Sequence, residues 1–391
     1  METNGSSNGV MLHISHTDIR YDSRILKELQ ALDVFPTYRK VGIGFELDEG
    51  ASASKQSRDF EIITRRLYSR ALRLLPRALR YAVNFIELTF VLFFLGFRAR
   101  PVTVHCHDTL VLPAGWLLKI ALGCRLIYDA HELESNKNGQ SPLLSKGTLF
   151  LERFCWDKVD LLITVSDSII DWYRSNVGAK EAILVLNSPV LEMRPTELDD
   201  ESSERGYLRQ RFGIPPDSLI FVYLGILGSG RGIEQCLEAF ADDSLSAHVV
   251  FVGYGDLAAR IGEFADQHGN IHVHPAVPHE QVIRTVKSAD YGLCFVENVS
   301  LSDFYCLPNK LFEYAFAGLP VLASDFPEMK RVVQEYSLGI CCSPDVESIR
   351  AAILSATDRP SSRLSADLSD LAWAGQAERL CTAYSALLRR P

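Results

Sequence analysis

Residues 307–325 read Leu-Pro-Asn-Lys-Leu-Phe-Glu-Tyr-Ala-Phe-Ala-Gly-Leu-Pro-Val-Leu-Ala-Ser-Asp, and the reading of the chain turns on them. Pro308 suits the first position of a helix, where its missing N–H is not needed. Gly318 is placed to end that helix about three turns later, because glycine accepts the left-handed backbone that closes a helix. The first amides of such a helix, those of Asn309 and Leu311 among them, have no partners within it and carry partial positive charge. With Lys310 beside them they make a natural phosphate site. Glu313 follows one turn later, in reach of hydroxyls on whatever carries that phosphate. A sugar nucleotide offers both groups.

Working outward, apolar runs alternate with helical patterns along the whole chain, the sign of parallel sheets covered by helices. Strands are expected in the first half at Val10–Ser15, Val102–Cys106, Arg125–Asp129 and Leu161–Val165. In the second half they are expected at Ile220–Leu224, His248–Val252, Ile271–His274, Tyr291–Phe295 and Val321–Ala323. Between the halves, Ser188 to Asp217 is polar and Pro-containing without a sustained hydrophobic period. The expected domains are therefore 1–189 and 190–370, followed by a segment 371–391 whose helix candidate, Gln376–Leu388, stands alone or crosses back onto the first domain. The fold class is α/β: two Rossmann-like, doubly wound sheets expected to face one another across a cleft, with ligands at the carboxyl ends of the strands.

Composition narrows the function classes. The 391 residues suffice for large cores, and 47% hydrophobic with 23% charged residues is ordinary for a globular protein. A net charge of -9 argues against a nucleic-acid partner, which would call for excess Lys and Arg. Nine cysteines without disulfide-like or Cys-x-x-Cys spacing fit a reducing compartment. Met1–Asn8 shows no secretory pattern, so a cytoplasmic location is expected.

The second half opens with Ile220-Phe-Val-Tyr-Leu-Gly-Ile-Leu-Gly-Ser-Gly-Arg-Gly-Ile-Glu234, a strand, a loop with glycines at 225, 228, 230 and 232, then a helix. Glycines such as Gly225 and Gly230 let backbone approach a diphosphate, and the Arg231 guanidinium can grip phosphate oxygens in two places. The pattern is neither Gly-x-Gly-x-x-Gly nor a phosphate loop ending in Gly-Lys-Ser/Thr.

In the first half, Leu126-Ile-Tyr-Asp-Ala-His-Glu-Leu-Glu134 reads as a buried strand that delivers His131 to its carboxyl end, where it faces the expected cleft. Glu132 and Glu134 alternate, so at most one of them faces a site. His105-Cys-His-Asp108 follows another strand and could supply metal ligands, but no Cys or Glu partner of clear spacing is near, and no metal site is expected. In Ser15-His-Thr-Asp-Ile-Arg-Tyr-Asp-Ser-Arg24, the side chains of His16, Asp22 and Arg24 could contact an acceptor or phosphate; Asp22 equally suits a helix start.

Residues 61–100 carry eight arginines against two glutamates. Arg66, Arg70, Arg73, Arg77 and Arg80 recur at spacings of four and three and draw a basic stripe along a helix, restarted or kinked at Pro76. Tyr81–Phe97 is nearly all apolar but interrupted by Asn84 and Glu87. It is too short and too polar for a confident bilayer crossing and reads as a buried or interfacial helix. The stripe, through Arg66, Arg70, Arg73 and Arg77, would then tether the protein to the inner, anionic face of a membrane.

The 307–325 segment and the 225–232 loop resemble the donor-binding elements of retaining glycosyltransferases with the GT-B fold, closest to glycosyltransferase family 4. The resemblance implies metal-independent transfer of a sugar from a nucleotide diphosphate, UDP foremost, to a glycan or lipid-linked acceptor in polysaccharide or glycoconjugate synthesis. It implies no cofactor beyond the nucleotide-sugar co-substrate. Glu313 matches the family's ribose-holding glutamate. The family's sugar-holding glutamate falls on Tyr305, with Asp303 and Glu297 as nearby acids, and a second basic residue common in the loop falls on Ile226. His131 corresponds to a histidine against the donor sugar, and His107 with Asp108 to a pattern that shapes the acceptor side. Arg231 and Lys310 would neutralise the leaving diphosphate. Two alternatives remain at this stage: a nucleotide-sugar epimerase on the same scaffold, and a catalytically silent homologue that binds a nucleotide sugar or a protein.

Overall fold

The computed structural model of the chain describes residues 9–46, 60–72, 74–190, 201–242, 244–358, 363–364 and 367–389. It divides into two compact units, residues 1–187 with 375–391, and residues 188–374. The first holds seven strands: β1 (Val10–Ile14), β2 (Arg39–Phe45), β3 (Glu61–Arg65), β4 (Pro101–His107), β5 (Arg125–Ala130), β6 (Leu161–Thr164) and β7 (Ala182–Leu184). They form one parallel sheet in the order β3-β2-β1-β4-β5-β6-β7. The second holds β8 (Ile220–Ile226), β9 (His248–Tyr254), β10 (Ile271–Pro275), β11 (Tyr291–Cys294), β12 (Val321–Ser324) and β13 (Gly339–Cys342), ordered β10-β9-β8-β11-β12-β13 and again parallel. Strand order reverses beside β1 in one sheet and beside β8 in the other. At such a switch point the helices after neighbouring strands cover opposite faces, and the strand ends are left open to ligand.

All nine expected strands are present. The four that the sequence pattern did not reveal are edge or glycine-broken strands. In β2, a side chain on Gly44 would sit 2.5 Å from the Thr17 carbonyl oxygen, so close packing against the residues before Ile19 demands glycine and erases the apolar period. Strands β3, β7 and β13 are only partly buried and show no clean alternation.

The interior of the second unit is an aromatic-rich core of Phe221, Tyr223, Phe240, Phe251, Tyr291 and Phe295 under the helices Ile233–Phe240 and Val346–Asp358. Each such side chain contributes on the order of 1.5–3 kcal/mol by leaving water. The first unit differs, because one face of its sheet carries charge. Asp22 caps the helix Ser23–Ala31 by accepting from the Arg24 and Ile25 amides, both at 3.1 Å. Arg24 then turns inward, where it donates to both Asp129 oxygens (2.9 and 3.1 Å) and to the Val185 carbonyl (2.8 Å), and pairs with Glu28 at 3.1 Å. Arg24 is therefore not presented to an acceptor. Asp22 is spent as a cap and Arg24 is buried as the counter-ion of the sheet.

From Gly375 onward the helix Trp373–Arg389 belongs with the first unit. Gln376 accepts from the Leu186 amide at 3.0 Å, the Cys381 thiol donates to the Ala31 carbonyl at 3.2 Å, and Tyr384 is fully buried.

One basic helix over residues 66–80 does not form. Strand β3 ends at Arg65, a short 3-10 turn spans Tyr68–Ala71, and a new helix, Arg77–Ala99, begins after Pro76, which cannot donate into a continuing helix. Arg66 pairs with Glu46 at 3.3 Å and Arg70 donates to the Glu46 carbonyl, while Arg73 and the Arg77 side chain lie outside the described residues. The apolar helix is longer than the Tyr81–Phe97 reading, and it is not a buried one. Leu88, Leu92 and Gly96, spaced by four, form its packed face; a side chain on Gly96 would stand 2.6 Å from Leu118 of the helix Leu112–Leu122. Ile86, Phe90, Phe94 and Phe97 lie exposed on another face. By length and composition Ala78–Ala99 could cross a membrane, yet Leu88, Leu92 and Gly96 pack it against its own unit.

Replacing Arg24 with Met leaves the buried Asp129 carboxylate without its main partner, and is expected to destabilise the chain by about 3–5 kcal/mol. Urea unfolding followed by circular dichroism measures this; a loss below about 1 kcal/mol would show that the ion pair does not hold the sheet and helix together.

Candidate active site

In the second unit the helix Asn309–Phe316 follows β11 and a short helix, Leu301–Phe304. Pro308 stands one position earlier than expected, as the residue before the helix, with φ −65° and ψ 139°. The Leu311 amide bonds to the Pro308 carbonyl at 3.0 Å, so Leu311 is not a free donor, and its side chain is buried. Among the described residues no acceptor meets the Asn309 and Lys310 amides, which leaves them at the positive end of the helix dipole. Gly318, φ +73°, closes the helix.

Lys310 points inward rather than out. It is 8% exposed, its ammonium lies 3.8 Å from the centre of the Tyr223 ring, and Nζ has no hydrogen-bond acceptor. The ring face offsets part of the cost of burying that charge, but an ammonium without oxygen partners is poorly satisfied, and phosphate oxygens would complete it. Tyr223 belongs to β8, directly before the glycine loop. Tyr314, on the next turn of the Lys310 helix, donates from its hydroxyl to the Leu293 carbonyl at 3.3 Å and accepts from the Leu224 amide at 2.8 Å. A side chain on Gly292 would fall 2.3 Å from the Tyr314 ring. Glu313 is half-buried on the same helix.

The glycine loop has the conformations its sequence suggests. Gly225 (φ +126°), Gly230 (φ +80°) and Gly232 (φ +68°) adopt backbone that L side chains resist. Space around Gly225 is open, whereas a side chain on Gly232 would strike Phe295 at 2.5 Å. Arg231 is exposed between the last two, just before the helix Ile233–Phe240, and among the described residues makes no ion pair. Burial pushes the Cys294 thiol up to about 11, opposed by the nearby charges of Lys310 and Arg231. The same two cations act on Cys306. Both positive groups thus reach one region beside β11.

The acids near Tyr305 separate clearly. The Asp303 amide donates to Ser300 Oγ at 3.1 Å and its carboxylate accepts from that hydroxyl at 2.7 Å, which makes Asp303 part of a helix cap. Glu297 is different: its amide donates to the Gly230 carbonyl at 3.0 Å, and its Oε1 is buried without a hydrogen-bond partner. It is tied directly to the glycine loop.

In the first unit His16, Asp108 and His131 lie past the carboxyl ends of the neighbouring strands β1, β4 and β5. Asp108 stands 3.8 Å from His16 and 3.7 Å from His131, whose other ring nitrogen is 3.3 Å from Asp129. Asp108 has φ +68° and ψ 163°, a costly backbone for a residue with a side chain. Burial works against its charge, but His131, Lys137 and His16 together hold its carboxyl down at about 2. Burial likewise opposes a charged His131, and Asp108 and Asp129 outweigh it, raising the ring to about 9. His107 does not line a surface: it is fully buried behind His131, with Nδ1 3.1 Å from His131 Nε2. Glu134 is buried against Lys137 at 2.6 Å, and Glu132 is exposed.

These features have counterparts among known proteins. The family described as Glycosyl transferases group 1 matches residues 204–369, and the Glycosyl transferase 4-like domain matches residues 48–188. A protein of Escherichia coli (strain K12) named as a colanic acid biosynthesis glycosyl transferase, WcaI, is 27% identical over 154 residues, which is 37% of each chain. The curated relatives are matched over 37 to 56% of their own lengths. Among solved structures, sucrose-phosphate synthase from Thermosynechococcus elongatus superposes with TM-score 0.77 at 16% identity over 97% of this chain and 99% of its own. Anabaena HepE in complex with UDP-glucose gives 0.69 at 12% over 96 and 99%. At these identities the structures speak for the fold.

Lys310→Met keeps an apolar stem against Tyr223 and removes the charge. It is expected to weaken binding of UDP about tenfold or more, the worth of a hydrogen bond to a charged group, in isothermal titration calorimetry. An unchanged Kd would remove Lys310 from the site.

Proposed function

We propose that this chain, which belongs to the GT-B glycosyltransferases of the group 1 and family 4-like kind, transfers a sugar from UDP to a hydroxyl of a glycan or lipid-linked acceptor, with retention at the anomeric carbon. The observation that carries this reading is the buried ammonium of Lys310, without an acceptor, beside the free amides of the Asn309 helix start. That arrangement suits a diphosphate, and the complex of HepE with UDP-glucose shows such a donor on a protein of the same fold.

As the bond between sugar and diphosphate loosens, negative charge grows on the leaving phosphate while the sugar becomes oxocarbenium-like. Lys310, Arg231 and the Asn309 and Lys310 amides would stabilise that charge without reorganising, the largest single kind of catalytic effect. In this reading the positive charge comes from the protein, and the transfer step needs no divalent metal. The leaving phosphate takes the acceptor proton. Glu313 holds the ribose hydroxyls. Glu297, with a buried oxygen free to accept, takes over the sugar-holding task that Tyr305 cannot perform. His131, its ring fixed between Asp108 and Asp129, orients the sugar.

A surface of the first unit favours an enzyme that works on a lipid-linked acceptor at the cytoplasmic face of a membrane. The exposed Ile86, Phe90, Phe94 and Phe97 lie on a helix that packs on Leu112–Leu122, which in turn contacts the helix Pro142–Cys155. The latter exposes Leu143, Leu144, Phe150 and Phe154. Arg98, stacked 4.2 Å over the Phe94 ring, and exposed Arg100 follow at one end, as expected for side chains that meet phosphate headgroups while aromatic rings enter the acyl boundary. An epimerase has no use for such a surface.

Two measurements test this reading. Arg231→Ala is expected to slow transfer on the order of a hundredfold, assayed as nucleoside diphosphate release with a panel of nucleotide sugars; an unaltered rate would count against the electrostatic role, and no turnover of any donor by the unsubstituted chain would favour a silent homologue. Phe90→Ser with Phe94→Ser is expected to lower partition onto anionic vesicles at least about tenfold, since each buried Phe is worth about 1.5–3 kcal/mol; binding that persists would rule this helix out as the anchor.

A further inference from the structure

We infer that His13, His105, His107 and Glu28 bind a zinc ion in the interior of the first unit, at a site closed to solvent and structural in role. His105 and His107 stand two residues apart on β4, but His13 on β1 and Glu28 on the helix Ser23–Ala31 lie too far away in the chain for any ligand spacing to reveal the set. His13 and His105 are register partners on adjacent strands, and His107, two residues on, points to the same face. One ligand atom from each of the four residues comes within 4.8 Å of the other three, and all four residues are fully buried.

The hydrogen bonding decides which atoms face inward. Tyr384 Oη lies 2.9 Å from His105 Nδ1 and 3.1 Å from His13 Nε2, so it can accept from both rings. His107 Nδ1 lies 3.1 Å from His131 Nε2 and 3.5 Å from Asp129 Oδ2. With the outer nitrogens protonated toward these oxygens, the inner ones, His13 Nδ1, His105 Nε2 and His107 Nε2, present lone pairs. An acidic or hydroxyl partner on the outer nitrogen is the usual support of a metal-bound histidine. Arg24 occupies Glu28 Oε1 at 3.1 Å and leaves Oε2 toward the rings, 3.7 Å from His105 Nε2 and 3.9 Å from His107 Nε2. His13 Nδ1 and His107 Nε2 are 3.0 Å apart.

A tetrahedral zinc with bonds of about 2.0–2.1 Å separates its ligand atoms by about 3.3–3.4 Å, so a cation draws these four together with small movements. Glu28 Oε2 has no hydrogen-bond partner and His105 Nε2 has only the Asp129 carboxylate at 3.5 Å, and groups so placed in an interior call for a partner. Three imidazoles and one carboxylate suit zinc; calcium and magnesium take oxygen ligands. Four protein ligands without access for substrate make a structural rather than a catalytic centre, one that ties β1, β4 and the Ser23 helix together and reaches the C-terminal helix through Tyr384.

The test uses the full chain without a histidine tag, grown with zinc and purified without chelator. Mass spectrometry of the metal content is expected to find about one zinc per chain, and removal with a strong chelator to lower the melting temperature, restored by Zn2+. Glu28→Gln and His105→Ala are expected to lose most of the zinc, whereas His272→Ala, in the paired His248 and His272 of the second unit, keeps it. Should a variant fail to fold, Co2+ added to the stripped, unsubstituted chain is expected to give the visible absorption of a tetrahedral site. A chain purified free of metal whose melting is indifferent to Zn2+ and Co2+ would reduce the cluster to a hydrogen-bonded network and overturn the inference, as would zinc retained in full by a folded Glu28→Gln chain. UDP binding by the second unit is read separately and does not depend on the result.

Discussion

The Tyr314 ring occupies the space that any side chain at position 292 would need, and this contact sets the geometry of the second unit's site. It lets the helix Asn309–Phe316 lie directly on β11, with the Tyr314 hydroxyl bridging the Leu293 carbonyl and the Leu224 amide. Because one helix is pinned to two strands on either side of the switch point, its first turn stands in fixed relation to the glycine loop after β8. Lys310 can then bury its ammonium against Tyr223, one strand residue from that bond. A preorganised cation needs no rearrangement when charge develops on a ligand, which is the physical basis of electrostatic catalysis.

The first unit solves a different problem. Its sheet carries His13, His105, His107 and Asp129 on an inner face, where a purely apolar layer would have been simpler. Arg24 supplies the compensating charge, and Asp129 in turn stands beside His131 at the sheet's open end. Interior and surface are thus one electrostatic system: the buried ion pair that holds the helix Ser23–Ala31 to the sheet also holds the carboxylate that orients His131. The strained Asp108 backbone places a second carboxylate on that ring. Strain of this kind persists only where surrounding structure enforces it.

Much of this was legible in the amino-acid order. Nine strands, the Pro308 and Gly318 limits of the short helix, and the left-handed glycines around Arg231 follow from local chemistry, since a glycine or proline restricts backbone wherever it stands. The basic stripe reads as one helix that does not form, because periodicity at four and three also arises when a 3-10 turn and a new helix succeed one another. Pro76, which cannot donate into a continuing helix, starts a new one at Arg77. Asp22 read equally well as a cap or a contact until its carboxylate was seen to accept two amides.

The sequence by itself determined the α/β class, the alternation that makes parallel sheets, and the residue types able to hold a phosphate, because these depend on neighbours a few residues apart. Tertiary structure was needed to show that Lys310 is buried without an acceptor, that Leu311 has no amide to lend, that Glu297 keeps a buried oxygen without a partner while Asp303 caps its helix, and that Glu28 meets three histidines. Those properties depend on what lies across a strand or beneath a helix, often a hundred residues away, and desolvation, which sets their energies, exists only once the chain has closed around them.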